Sequence, residues 1–548
     1  MSVYQHPVAF DRVFEPLWLP EMLRRTAERQ PTKPCIDFLG RVSRYGEIWD
    51  AVRRAATGFA AMGVGPGSTV GLFLPNCPHY VIAYFGALMA GARLANFSPL
   101  YTVAELRAQV EDSDCDVMVT LDAAALYPTI AKVLETSRLK TLIVGSVAEA
   151  LPPAKALLYR MFRRRERSKV SWDARHVTWR SLLTHPRMMM PSPLPDPQAL
   201  ALLQYTGGTT GAPKGAMLSH ANLSINAQQV DSIDPEPQAE DRILGALPLF
   251  HIFANTCIMN RTIVRGGMMV LLPKFEVKAA LSAIARTKVT ALPGVPTMYR
   301  ALLDYPEAAK FDLSSLRVCI SGGAPMPEPV KTAFVARTGA TLVEGYGLTE
   351  SAGVVSTNPY ASGGKAGTIG QPLPGTVVVL VDKDDPTKPA REGEAGELTF
   401  RGPPMMSGYW KRDNAGVFVD GRLRTGDLAT VDADGFYTIV DRLKDMIIVG
   451  GFKVFPSVVE EVLYRHPAVN EALVIGVHDE YLGERPKAFV TLHAGAEASA
   501  ESLLAFVNAN IGKHERLVAC EVRDSLPKTM IGKLSRKELV AEEKAKRT

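Results

Sequence analysis

Short β-type runs alternate with helical stretches through the first 145 residues and again from residue 199 to residue 348. That alternation constrains the chain more than any other feature, because it demands parallel or mixed sheets covered by helices. Residues 69–74 (TVGLFL), 116–120 (DVMVT), 139–144 (LKTLIV) and 316–320 (LRVCI) read as strands, and residues 80–90 and 104–110 as helices. The longest uncharged run, 72–92, contains Pro75, Asn76, Pro78 and His79. A membrane span wants about 20 predominantly apolar residues, so this run reads as a buried strand followed by a buried helix.

Beyond Gly367 the texture becomes all-β: VVVLVD, GELTFRG, and a hairpin, LATVDADGFYTIVD, whose Asp434-Gly435 pair marks a tight turn. The last hundred residues read as a small α/β unit. Two capping boxes are expected there, Ser457-Val-Val-Glu460 and Ser535-Arg-Lys-Glu538. Residues 154–180 break the pattern by interleaving Arg and Lys with Leu, Met, Phe and Trp. They read either as a solvated insertion or as a basic, partly apolar patch for an anionic membrane surface. Six scattered cysteines with no CxxC pair argue against a disulfide framework and fit a reducing compartment. A net charge of +5 on 548 residues implies no nucleic-acid partner. The N-terminus has no basic region leading into an apolar stretch, so no secretory signal is expected and a soluble protein is.

Five strings carry chemistry. Residues 205–215 (YTGGTTGAPKG) lie between an apolar strand and a helix beginning near Ser219, and their bare amides and hydroxyls suit a phosphate chain, with Lys214 as a cation. The register is not that of a Walker A loop. In 344–350 (EGYGLTE), Tyr346 can lie against a purine, Thr349 offers a hydroxyl to phosphate, and Glu350 offers a hard oxygen to magnesium. Thr425-Gly-Asp427 suits ribose hydroxyls, although in isolation an Asx turn at a strand start is the better reading. The remaining two are 441–453 (DRLKDMIIVGGFK) and 527–533 (PKTMIGK), a basic loop before the final helix.

In this order, over nearly the whole chain, these strings resemble the adenylate-forming superfamily of acyl-CoA synthetases, luciferases and adenylation domains. LLQYTGGTTGAPKGAMLSH, PLFHIFA, SGGAPM, NFSPLYTVAEL and LPKTMIGKLSRKEL are most similar to bacterial long-chain fatty acid–CoA ligases. The resemblance implies an α/β fold. A large N-terminal domain (1–441) of two mixed sheets with helices plus a β-rich subdomain would meet a hinge (442–445) and a small mobile C-terminal α/β lid (446–548). It implies ATP and Mg²⁺ as cofactors and coenzyme A as co-substrate, with a medium- or long-chain carboxylic acid as the substrate. It also implies a cytoplasmic enzyme, peripheral to the inner face of the membrane if 154–180 make that contact, and admits a homodimer.

By the same resemblance Thr206, Gly207, Gly208, Thr209, Thr210, Gly211 and Lys214 surround the pyrophosphate, and Thr209 with Glu350 holds Mg²⁺. Gly323, Glu344, Gly345 and Tyr346 frame the adenine, Thr349 contacts the α-phosphate, and Asp427 with Arg442 holds the ribose. Lys533 bridges the attacking carboxylate and the α-phosphate. Lys444 is the hinge, Gly450 and Gly451 line the pantetheine path, and His251 stands near the carboxylate end of the acyl pocket. Relatives place a Trp gate where this chain has Asn255. Such an assignment is electrostatically sensible: at 4 Å two unit charges interact by about 4 kcal/mol at an effective dielectric of 20, so cations must offset the repulsion between carboxylate and triphosphate. An acyl-AMP ligase, an aryl- or other acid–CoA ligase, and a non-catalytic nucleotide- or lipid-binding relative stand as alternative readings.

Overall fold

The computed structural model describes residues 4–206, 213–236, 240–529, 532 and 534–546. Gly207, Gly208, Thr209, Thr210, Gly211 and Lys533 therefore lie outside the described residues.

Two large mixed sheets carry most of the chain. One has nine strands, in the order Gln371–Pro372, Ser356–Thr357, β3 (Thr341–Tyr346), Val318–Ser321, Ala291–Gly294, Arg242–Gly245, Met268–Leu271, Pro34–Phe38 and Arg41–Arg44. Its centre is parallel and both its margins turn antiparallel. The other has seven: His176–Thr178, Thr141–Gly145, Cys115–Leu121, Thr69–Leu72, Arg93–Asn96, β1 (Leu200–Tyr205) and β2 (Gly215–Ser219). Central strands such as Thr69–Leu72 and Ala291–Gly294 are buried throughout, as expected of parallel strands covered on both faces. Helix Pro78–Met89 is buried at every position, which is why it lacks a polar stripe.

β2 was not expected from the sequence. The segment after the glycine–threonine loop reads as a run-up to a helix, yet it pairs antiparallel with β1 before the chain enters α2 (His220–Ser232). Ser219 caps α2, accepting from Asn222 N at 3.1 Å.

A third sheet of five strands contains Val377–Val381, Gly396–Arg401, Phe418–Val419, β4 (Arg422–Val431) and β5 (Tyr437–Arg442). β4 and β5 form the expected hairpin, with Gly435 at φ +78° in its turn. After β5 the chain builds a fourth sheet around its own apolar core, which includes Ile447, Val474, Val490 and Leu503.

The expected capping boxes do not form. In α3 (Pro456–Tyr464) Pro456 takes the first helical position, so Ser457 lies inside the first turn. Its hydroxyl lies 2.7 Å from Val440 O and 2.8 Å from Asp441 Oδ2, and Glu460 accepts from Val474 N and Arg536. Ser535 precedes helix Arg536–Ala545 but makes no side-chain cap bond.

Candidate active site

One cleft of about 650 Å³ gathers residues from both ends of the sequence. Its polar end is built at the strand ends of the nine-stranded sheet and on the β4–β5 hairpin. Tyr346, the last residue of β3, donates its hydroxyl to Asp427 Oδ2 at 2.6 Å. Asp427 on β4 is paired in register with Arg442 on β5, and Arg442 Nε meets Asp427 Oδ1 at 2.9 Å. The three form a chain in which a buried carboxylate is held by a phenol and a guanidinium. Burial, with Asp427 adding to it, lifts the Tyr346 phenol well above its ordinary range, so the phenol keeps its proton and remains a donor.

The wall bearing Thr206, Lys214 and Glu350 is more extensively supported than its motif suggests. Thr206 N–H donates to Lys214 O at 3.0 Å and ties together the neck of the glycine–threonine loop. Glu350 Oε1 accepts from Tyr409 Oη at 2.6 Å, and Lys214 Nζ stands 5.1 Å from the Tyr409 ring centroid. The segment bearing Tyr409 is itself laced to β2: Met217 N–H donates to Gly408 O and Trp410 N–H to Gly215 O, at 2.9 and 2.8 Å. The connection between Gly396–Arg401 and Phe418–Val419 thus braces β2.

The other end of the cleft is apolar. Val230 and Ile233 from the C-terminal end of α2, with Phe253, Cys257, Ile320, Val354 and Tyr360, line it. Behind this wall Arg261 pairs with Asp234 and Asp241 at 3.0 and 2.5 Å, and Arg317 pairs with Asp234 at 2.7 Å, all four largely shielded from water. His251 lines the cleft and its Nδ1 accepts from Phe253 N at 3.3 Å.

The expected residues fall into three groups. Thr206, Lys214, His251, Gly323, Gly345, Tyr346, Thr349, Glu350, Asp427, Arg442 and Lys444 all line the cleft. Lys444 is exposed on one side, but partial burial, then the charge of Arg442, lowers its pKa. Glu344 lies behind the wall, accepting from Met326 N at 3.0 Å. Gly450 and Gly451 sit on an exposed turn of the fourth sheet, outside the lining, at φ +57° and +88°. Asn255 is buried among Tyr84, Tyr80 and Asn260 and does not line the cleft. Gly347 explains part of the motif's glycine content: a Cβ there would sit 2.0 Å from Gly353 O.

Sequence reasoning missed Tyr409, Tyr360 and Val230. Only Tyr409 carried a signal, in the Gly408-Tyr-Trp string between two strands of the all-β region.

The donors fit a magnesium nucleotide. Glu350 presents a hard oxygen on the wall, and magnesium takes one or two carboxylates together with substrate phosphates.

Two helix-covered sheets, a β-rich unit and a small C-terminal unit around such a cleft define the adenylate-forming class of enzyme. The chain belongs to the AMP-binding enzyme family, whose model matches residues 23–410, with the AMP-binding enzyme C-terminal domain matching 458–533. It is 39% identical to the long-chain-fatty-acid–CoA ligase of Bacillus subtilis (strain 168), covering 96% of this chain and 94% of that one. Among solved structures it is similar to ATP-bound MatB from Rhodopseudomonas palustris, with TM-score 0.83, 27% identity, and 96% and 100% of the two chains covered. It is similar also to o-succinylbenzoate coenzyme A synthetase from Bacillus subtilis in complex with ATP and a magnesium ion, with TM-score 0.78, 27% identity, and 95% and 99% covered.

Proposed function

We propose that this chain is an ATP-dependent fatty acid–CoA ligase that forms an acyl adenylate and then passes the acyl group to coenzyme A. The observation that carries the reading is the divided cleft, with a polar end built around Tyr346–Asp427–Arg442 and Glu350 and an apolar end built around Phe253, Cys257 and Tyr360. The long-chain acid is taken from the curated relative, and the apolar end supports it.

In the first half-reaction a carboxylate oxygen of the acid attacks the α-phosphorus, and the bond to pyrophosphate breaks. Asp427 accepts from the ribose hydroxyls, with Arg442 and Tyr346 keeping its oxygens in place. Lys214 and Thr206 face the departing pyrophosphate, and Glu350 with Thr209 would hold Mg²⁺, which would supply charge neutralisation on the phosphates when bound. Lys533, on a flexible stem, meets both the attacking carboxylate and the α-phosphate. In the second half-reaction the thiol sulfur attacks the acyl carbonyl, AMP leaves, and the thiol proton passes to solvent. The first step needs Lys533 beside the carboxyl group and the second needs that side open to the thiol, so residues 446–548 turn about 442–445 between them, bringing Gly450 and Gly451 to the thiol's path.

Pyrophosphate release across acids from acetate to oleate, together with aryl acids, tests the substrate. Release and CoA thioester should be greatest with long-chain acids; release confined to aryl acids, or an adenylate that never becomes a thioester, would overturn the reading. Lys533→Ala should slow adenylate formation by about 10²- to 10³-fold while thioester formation from supplied acyl adenylate persists. Equal loss of both steps would remove Lys533 from its role.

A further inference from the structure

Helix α1 (Pro153–Phe162) turns its apolar side to water. None of its residues is buried, and only Ala156 and Tyr159 pack partly against the core. Leu157, Leu158, Met161 and Phe162 are 60%, 54%, 54% and 72% exposed, and Trp172 further along is 53% exposed. The pairs 157/161 and 158/162, each four apart, make two adjacent columns on one helix face. Single exposed apolar side chains need no explanation, but four together on one turn-and-a-half of helix mark a contact surface. The helix sits at the rim where both large sheets end: Lys155 Nζ donates to Leu39 O at 2.7 Å beside the edge strand Arg41–Arg44, and Arg167 reaches Asp122 at 3.1 Å.

Charge identifies what this surface meets. Between residues 153 and 169 there are seven basic side chains and one acidic one, Glu166. Arg163 is occupied by Glu166 and Arg167 by Asp122. Among the described residues, Arg160, Arg164, Arg165 and Lys169 make no ion pair, so four exposed cations without a counter-charge lie on the helix or follow it within seven residues. A convex apolar face edged with cations is the pattern of a helix that lies in a membrane interface. No described helix is long and apolar enough to cross a membrane.

We propose that α1 docks flat on an anionic lipid bilayer, seating Leu157, Leu158, Met161 and Phe162 below the headgroups and setting Arg160, Arg164, Arg165 and Lys169 against lipid phosphates. The choice of a bilayer over a protein partner rests on the fatty-acid reading, since such an acid partitions into the same phase.

The test is co-sedimentation of the full chain with phosphatidylcholine vesicles, with or without phosphatidylglycerol. Binding should require phosphatidylglycerol and weaken steeply at high salt. Leu157→Ser/Leu158→Ser/Phe162→Ser and, separately, Arg164→Gln/Arg165→Gln should each reduce the bound fraction by roughly tenfold or more. Neither set should change thioester formation from an acid dissolved in water, and that result also verifies folding. Absence of wild-type binding at low salt, or full binding by both variants, would overturn the proposal. So would a dimer abolished by the apolar substitutions without any vesicle binding, which would assign the face to a second copy. If vesicles bind but no long-chain acid is activated, the substrate reading falls and the docking surface stands; if acids are activated without binding, the reverse holds.

Discussion

Glu344 shows how a motif residue can be legible while its environment is not. The EGYGLTE string marks it for the adenine frame, but its position on β3 turns one oxygen toward Met326 N–H and leaves Oε1 buried with no partner among the described residues. Burial raises its pKa above the ordinary value of 4.5. The folded chain therefore holds a proton that the unfolded chain has already released, and stability must fall as pH rises from about 4.5 through the raised folded value, then level off. Glu344→Gln keeps an acceptor for Met326 and removes the titration. Denaturant midpoints at pH 4 and pH 8 should show the variant gaining on the parent protein at the higher pH; a difference independent of pH would mean the carboxylate is not held in this way. Tyr409 is the opposite case. Its hydroxyl supports Glu350, yet 59 residues separate them, and no local pattern links a Gly-Tyr-Trp string to a distant carboxylate.

At the scale of elements, Thr69–Leu72 and Pro78–Met89 were readable because they are hydrophobic enough to be buried throughout, and the β4–β5 hairpin because Asp434-Gly435 suits its turn. β2 was not readable: GAMLS becomes a strand through its pairing with β1 and with the segment around Gly408, neither of which the local sequence encodes. α3 failed for a related reason. Ser457 has the local chemistry of a cap, but Pro456 ahead of it starts the helix and frees the hydroxyl for Val440 and Asp441 at the end of β5. That contact fastens the first helix of the C-terminal unit to the hairpin carrying Asp427 and Arg442. Ser457→Ala should cost about 1 kcal/mol of this attachment, loosening the arrangement that the proposed mechanism needs to deliver Lys533. Single-turnover pyrophosphate release should slow roughly three- to tenfold, with thioester formation from supplied acyl adenylate nearly unchanged. Equal slowing of the two half-reactions would show that the contact serves stability alone.

For the whole molecule, the central question is whether the C-terminal unit must leave its present position to complete the reaction. In this arrangement Gly532, the neighbour of Lys533, accepts from Thr297 Oγ1 at 3.4 Å, and Lys453 pairs with Asp384 at 3.0 Å, so two distant points of the C-terminal unit touch the larger body. A Cβ on Gly532 would stand 3.1 Å from Thr297 Oγ1, close enough for a disulfide once small shifts are allowed. The native thiols offer little competition, since five of the six cysteines are buried and Cys520 is half-buried. Thr297→Cys/Gly532→Cys, oxidised, should therefore hold the unit in its present position, which the proposed mechanism assigns to adenylate formation. Gly532 sits at φ +81°, so the substitution carries some strain, and the reduced variant is the proper reference. Oxidation should leave a single burst of pyrophosphate with acyl adenylate retained, and should reduce acyl-CoA output by at least about tenfold, the least that loss of a required domain motion would cost. Reductant should restore turnover. Full acyl-CoA output from the cross-linked protein would show that coenzyme A reaches the acyl carbonyl without rotation, and the two half-reactions would then have to share one geometry.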